Sequence, residues 1–193
     1  MDSSPGVAGE REERRRRMEV EEAAPVMMRK RAKALLEAMF AARMAKEDNI
    51  PCLIDSGLYL GSVGAALNRE QLKALNITHV ITVAASLHPA FPDEFIYKKI
   101  NVLDSPETRL DAYFQECIDF IDQAKTAGGA VFVHCFAGRS RSATIVVAYL
   151  MKKNRMTRQA ALSLVMSRRP LAAPNPGFIR QLDNFEKSLG LSK

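Results

Sequence analysis

Ala130-Val131-Phe132-Val133-His134-Cys135-Phe136-Ala137-Gly138-Arg139-Ser140-Arg141-Ser142 is the stretch on which the reading of this chain turns. The four apolar residues 130 to 133 predict a short strand, and the apolar run 143 to 151 predicts a helix, so Cys135 stands on a strand-to-helix turn. Amides at the start of a helix have no partner within it, and the aligned peptide dipoles put about half a positive charge behind them. An anion belongs in such a turn. An ordinary thiol is mostly protonated at neutral pH, whereas a helix N-terminus and neighbouring cations favour the nucleophilic thiolate.

Each residue of the turn has an expected part. Phe136, Ala137, Gly138, Arg139 and Ser140 supply the backbone that wraps a phosphoryl group, with Gly138 letting that backbone come close to it. Arg141, six residues after Cys135, closes the ring with a planar guanidinium that holds two phosphoryl oxygens at once. Ser142 is placed to hydrogen-bond the sulfur and make it a better leaving group. Cysteine and arginine at this spacing are a weak signal alone. Cys52 and Cys117, however, have Leu58 and Gln123 at the same distance, and Cys135 also has His134 before it, Gly138 inside the loop and Ser142 after Arg141. His134, one residue along the strand, faces the other side and is expected to fix the loop from behind.

The segment is similar to the signature of the cysteine-dependent protein tyrosine phosphatases, and Ala148-Tyr149-Leu150-Met151 resembles their dual-specificity subgroup. Gly57-Leu58-Tyr59-Leu60-Gly61-Ser62, residues 96 to 104, and Ser167-Arg168-Arg169-Pro170 followed by Pro174-Asn175-Pro176-Gly177-Phe178 look closest to the small plant members. The resemblance covers residues 50 to 190, taken as the catalytic domain. It implies an α/β fold with a central, mostly parallel sheet flanked by helices on both faces. It also implies a cysteinyl-phosphate intermediate, no cofactor, and phosphoprotein substrates carrying phosphotyrosine, phosphoserine or phosphothreonine, a MAP kinase among the candidates.

The same resemblance implies an aspartic acid some thirty residues before the nucleophile, and Asp104 lies 31 residues before Cys135. Residues 96 to 102 predict a strand, so Asp104 leaves it at the sheet end where loops gather around a site. An acid there protonates the leaving oxygen and later takes a proton from the attacking water. Glu107 and Asp111 are rivals, although Asp111 suits the N-cap of a helix over 112–125.

From Gln123 to Leu182 there is no Asp or Glu, against Lys125, Arg139, Arg141, Lys152, Lys153, Arg155, Arg158, Arg168, Arg169 and Arg180. A one-signed region around the nucleophile is expected to attract phosphates. Lys152-Lys153 and Arg168-Arg169 end helices, where cations suit the dipole and are usually solvated. Arg139, a cation inside the loop, leaves a phosphoinositide or phospholipid phosphatase as the alternative enzyme. An inactive phosphate-binding and calmodulin-binding module is the alternative of another class.

At 193 residues and 47% hydrophobic content the chain suits one domain and a tail. Three cysteines, one of them a thiolate that needs reducing surroundings, point to the cytoplasm and/or nucleus. Cys52 and Cys117 are the thiols that oxidation could join to Cys135, and Cys117 shares an apolar helical face with Phe114, Ile118 and Ile121. His79 and His88 lack metal-ligand company, no metal is expected, and neither a nucleic-acid partner nor a membrane span is expected. Residues 1–26 form a charged tail without the apolar core of a signal peptide or membrane span, and are expected to be disordered.

Residues 28–46 predict a basic amphipathic helix, with Met28, Ala32, Leu35, Leu36 and Met39 within about 100° of one another and Lys30, Lys33 and Glu37 opposite. Such a face suits an apolar patch on the catalytic domain, or an acidic partner of the calmodulin type. Elsewhere the pattern predicts a helix over 65–75, a strand over 79–83, a helix over 158–168 capped by Thr157, and a last helix opened by Asn175 and Pro176.

Overall fold

The computed structural model describes residues 7–191, with side chains described at Glu12, Arg15 and 25–191. The chain divides into two units after Phe40. Helix α1 (Val7–Glu47) begins in the first and ends in the second. Helix therefore runs from Val7 through the segment expected as a charged tail over 1–26, and residues 1–6 lie outside the described residues. Mixed charge signalled a solvated coil, but the residues carrying it are Glu, Arg, Met and Ala, straight-chain or small helix formers. Within 28–46, Met28, Leu35, Leu36 and Met39 are 72%, 63%, 66% and 62% exposed. Among the described residues no helix is long and apolar enough to cross a membrane.

The second unit is built on five strands, β1 (Cys52–Asp55), β2 (Leu58–Gly61), β3 (Ile77–Val83), β4 (Ile96–Ile100) and β5 (Ala130–His134), in the order β1-β2-β5-β3-β4. β1 and β2 form an antiparallel hairpin, and every other pairing is parallel. Central β5 is buried at all five residues, as a parallel strand covered on both faces must be.

Strand alternation divides the core. Leu58, Leu60, Ile81, Val83, Val131 and Val133 meet α4 (Phe114–Thr126), α5 (Arg141–Lys153), α6 (Arg158–Arg168) and α7 (Pro176–Ser188). Val80, Ala130 and Phe132 face the opposite layer with α2 (Val63–Ala66) and α3 (Arg69–Ala74). The sheet is thus mixed but mostly parallel, with helices on both faces. α5 is buried on every side from Ser142 to Met151, which makes it the central helix.

Several boundaries differ from the sequence expectation. The helix over 65–75 is two short helices, because Asn68 leaves helical geometry, accepts from Gln71 N at 3.3 Å to cap α3, and reaches Asn49 O at 3.0 Å. β1 is an edge strand of four residues, too short for its period to be read. Asp111 caps nothing: Arg109 hydrogen-bonds its carboxylate at 2.9 Å and holds it below the usual carboxylate range, and α4 starts only at Phe114 after a short 3-10 turn. Thr157 and Asn175 do cap α6 and α7.

The spare thiols are poorly placed for disulfide chemistry. Cys52 lies two strands from β5, a lateral offset of about 10 Å, beyond the ~7 Å Cα separation a disulfide tolerates. Cys117 is fully buried. Burial, with Glu116 nearby, pushes its thiol up to about 12, which makes it inert at neutral pH.

Candidate active site

β5 delivers Cys135 to the carboxyl end of the central strand, the edge where open α/β sheets collect ligands. Cys135 is 1% exposed, at the floor of the turn, and Ser142 Oγ donates to its Sγ at 3.2 Å. Behind it, His134 Nδ1 donates to the Cys135 carbonyl at 3.3 Å, and Nε2 accepts from Thr82 Oγ1 at 2.9 Å. Burial pushes this imidazole down to about 4, so the ring is neutral at physiological pH and holds the loop from behind.

The loop is shaped by where its carbonyls go. Phe136 O accepts from Val63 N at 3.0 Å and Arg139 O from Ala173 N at 2.8 Å. Ala137 O and Gly138 O accept from Arg169 Nη2 and Nε at 3.0 and 2.8 Å. In a trans peptide the next N–H points opposite to the carbonyl. With four carbonyls pinned outward, the amides of Ala137, Gly138, Arg139 and Ser140 turn into the loop, where they make a nest for an oxyanion.

Gly138 is required here for a reason that lies behind the loop. It sits at φ +62°, and a Cβ on it would lie 2.4 Å from Gly61 O and 2.7 Å from Arg169 Nη2. The close approach is to β2 and Arg169 behind the loop.

Ser140 occupies the N-cap position of α5 without making a capping bond. Its hydroxyl goes instead to Asp104 Oδ1 at 2.7 Å. The first-turn amides of α5 therefore keep their capacity for an anion. Arg141 Nη1 reaches Val102 O at 3.4 Å, and its Nε lies 3.6 Å from Asp104 Oδ2. Nε is buried with no hydrogen bond, the one such side-chain atom among the described residues. A buried unsatisfied donor costs about 1–3 kcal/mol, a cost that an acceptor held in the loop would remove.

Of the three candidate carboxylates it is Asp104 that meets the loop. Glu107 is engaged by Ser105, and Asp111 by Arg109. Asn175, expected only as a helix cap, both accepts from Phe178 N and donates Nδ2 to Asp104 Oδ1 at 2.9 Å. α7 can approach the acid loop because residue 177 is glycine: a Cβ there would lie 2.1 Å from Pro106 O.

Arg169 is the functional residue that sequence reasoning missed. It was expected to be solvated at a helix end, yet it is 3% exposed and lies under the loop. A usable signal stood beside it, because Pro170 forces the preceding residue out of helical geometry. Arg169 is extended, at φ −134° and ψ 90°.

The one-signed stretch is likewise less one-signed in space. Lys125 pairs with Asp55 at 3.5 Å, Lys153 with Asp122 at 2.7 Å, Arg158 with Asp183 at 2.8 Å, and Arg169 with Asp48 at 2.5 Å. All four acids lie outside that stretch. At the rim, exposed Arg139 bonds Leu171 O through Nε at 3.3 Å.

A thiol under a ring of inward amides and a guanidinium suits a tetrahedral dianion, and this defines a cysteine-dependent phosphatase. A family profile described as the catalytic domain of dual specificity phosphatases matches residues 58–188. An Arabidopsis thaliana relative, dual specificity protein phosphatase 1, is 58% identical over 159 residues, 82% of this chain and 80% of that one. A Dictyostelium discoideum MAP kinase phosphatase with leucine-rich repeats is 44% identical over 140 residues, 72% of this chain but 16% of that one. The crystal structure of human DUSP28 is similar with a TM-score of 0.71 at 34% identity, covering 72% of this chain and 95% of that chain. The chain belongs to the dual specificity phosphatase family, hydrolases of phosphoester bonds.

Proposed function

We propose that the chain dephosphorylates phosphotyrosine and phosphoserine or phosphothreonine in proteins through a phosphate ester of Cys135. The Cys135 thiolate attacks phosphorus, and the bond to the leaving oxygen breaks as Asp104 gives that oxygen its proton. Arg141 and the amides of 137 to 140 hold the equatorial oxygens, where negative charge concentrates. Water then attacks phosphorus, Asp104 takes its proton, and the sulfur leaves as a thiolate stabilised by the Ser142 hydroxyl.

The observation that carries this reading is Arg141 Nε, a buried donor without an acceptor, at the end of a loop whose four carbonyls are held outward. A panel of phosphotyrosine, phosphothreonine and phosphoserine peptides against phosphoinositides at equal concentration tests it. Turnover of all three peptide classes is expected; a preference for phosphoinositides contradicts it.

A MAP kinase is a fitting substrate class, supported by the Dictyostelium relative's name. Exposed Met28, Leu35, Leu36 and Met39, with Lys30 and Lys33 on the same helix, support an acidic calmodulin-type partner. Calcium-dependent retention on a calmodulin column, lost in Leu35→Asp, tests that. A cytoplasmic and/or nuclear setting suits a Cys135 that has to stay reduced, and imaging of a tagged chain checks it.

A further inference from the structure

The groups that hold the phosphate loop from behind reach upstream of the family match at residues 58–188. Arg169 uses both edges of its guanidinium. Nε and Nη2 hold the Gly138 and Ala137 carbonyls, while Nη1 and Nη2 meet Asp48 Oδ1 and Oδ2 at 3.0 and 2.5 Å. Nη1 also lies 3.5 Å from Cys52 Sγ. Asp48 directly follows α1: its N–H donates to Met44 O at 2.8 Å, and its carbonyl accepts from Ser62 Oγ at 2.9 Å. Ser62 precedes Val63, whose N–H holds the Phe136 carbonyl. Three of the four outward carbonyls are thus referred to a single residue at the end of α1.

We propose that Asp48 and Arg169 are positioning residues that set the affinity of the phosphate loop for its oxyanion, which makes the end of α1 a working part of the site. The proposal rests on reading the loop as the phosphoryl site. A guanidinium is planar, and two carboxylate oxygens fix the plane in which it lies. That plane fixes the Ala137 and Gly138 carbonyls, and through them the amides of Gly138 and Arg139. Without the brace those peptides can rotate and present oxygens to the anion, replacing attraction with repulsion. Burial opposes charge on Asp48, but the hydrogen bonds and charge of Arg169 outweigh it and hold the carboxyl below its ordinary value, so the pair stays ionised at neutral pH. A lysine at 169 keeps the charge but lacks the fork.

The test compares the full chain with Asp48→Asn, Arg169→Lys and, as a control, Glu47→Gln, whose exposed partner is Arg43. Three readouts are taken: orthovanadate inhibition, the split of KM from kcat on an aryl phosphate, and the pH midpoint of Cys135 alkylation by iodoacetamide. Asp48→Asn and Arg169→Lys are expected to weaken orthovanadate about tenfold, the equivalent of one charge-assisted hydrogen bond. They should raise KM more than they lower kcat, and move the alkylation midpoint to higher pH; Glu47→Gln should match native. If Asp48→Asn does not fold, Arg169→Lys alone decides. Orthovanadate affinity and alkylation midpoint at native values, whatever happens to thermal stability, would show the pair to be merely structural and overturn the proposal. A native chain that orthovanadate does not inhibit would instead remove the phosphoryl-site reading beneath it.

Discussion

Ser140 donates its hydroxyl to Asp104 at 2.7 Å, so the residue that could have capped α5 instead ties the phosphate loop to the acid loop. Asn175 holds the same carboxylate oxygen at 2.9 Å, which leaves Oδ2 as the oxygen turned toward Arg141. Acid and anion site are therefore coupled by side chains 36 and 71 residues from Asp104 in sequence.

Ser140→Ala should disturb the acid more than the anion site. Loss of a hydrogen bond to a charged group, about 1.5 kcal/mol, corresponds to roughly a tenfold fall in kcat on phenyl phosphate. On p-nitrophenyl phosphate, whose leaving group needs less protonation, the fall should be smaller. Equal losses on both substrates would place Ser140 outside the proton-transfer step.

Arg141→Lys keeps a positive charge but cannot present two parallel N–H groups. Its kcat on p-nitrophenyl phosphate should drop by about 10²-fold or more, the cost of losing one preorganised oxyanion donor. Stopped-flow turnover checks this, and a drop of less than threefold would mean that the amides alone suffice.

Ser142→Ala removes the donor 3.2 Å from the sulfur. Departure of the thiolate in the second step should slow, so a burst of aryl alcohol equal to the enzyme concentration is expected before steady state. Unchanged single-phase kinetics would assign Ser142 to packing alone.

His134 makes the fold sensitive to acid in a defined window. Its folded value is about 4 against an ordinary value near 6.5, so the unfolded chain takes up the proton first as pH falls. Its contribution is intact above the ordinary value and declines as pH drops toward the folded one. The loss amounts to ~3 kcal/mol, at about 1.4 kcal/mol per unit. Denaturant melts between pH ~6.5 and ~4 should show a steeper fall for the native chain than for His134→Gln. Parallel curves would mean that the imidazole is solvated.

Local signals were enough for the centre of this molecule. An apolar run, a turn with a thiol and a second apolar run describe β5, Cys135 and α5, because parallel strands and central helices are apolar throughout. Thr157, Asn175 and Pro176 mark their helices by capping chemistry that acts within three residues. Asp104 was reached through family resemblance and a strand end. What stayed hidden depends on distance along the chain: Arg169 finds Asp48 across 121 residues and the loop across 31 and 32. The same is true of the acids that neutralise the cationic stretch, which no linear count of charge can see.

The most direct measurement is metal-free hydrolysis of an aryl phosphate between about pH 5 and 8, with rapid acid quench and mass analysis of the peptide containing Cys135. Turnover by the native chain, none by Cys135→Ser, and a phosphate adduct on Cys135 that accumulates in Ser142→Ala are the expected results. Retained turnover in Cys135→Ser, or a phosphate adduct on any other residue, would contradict the mechanism.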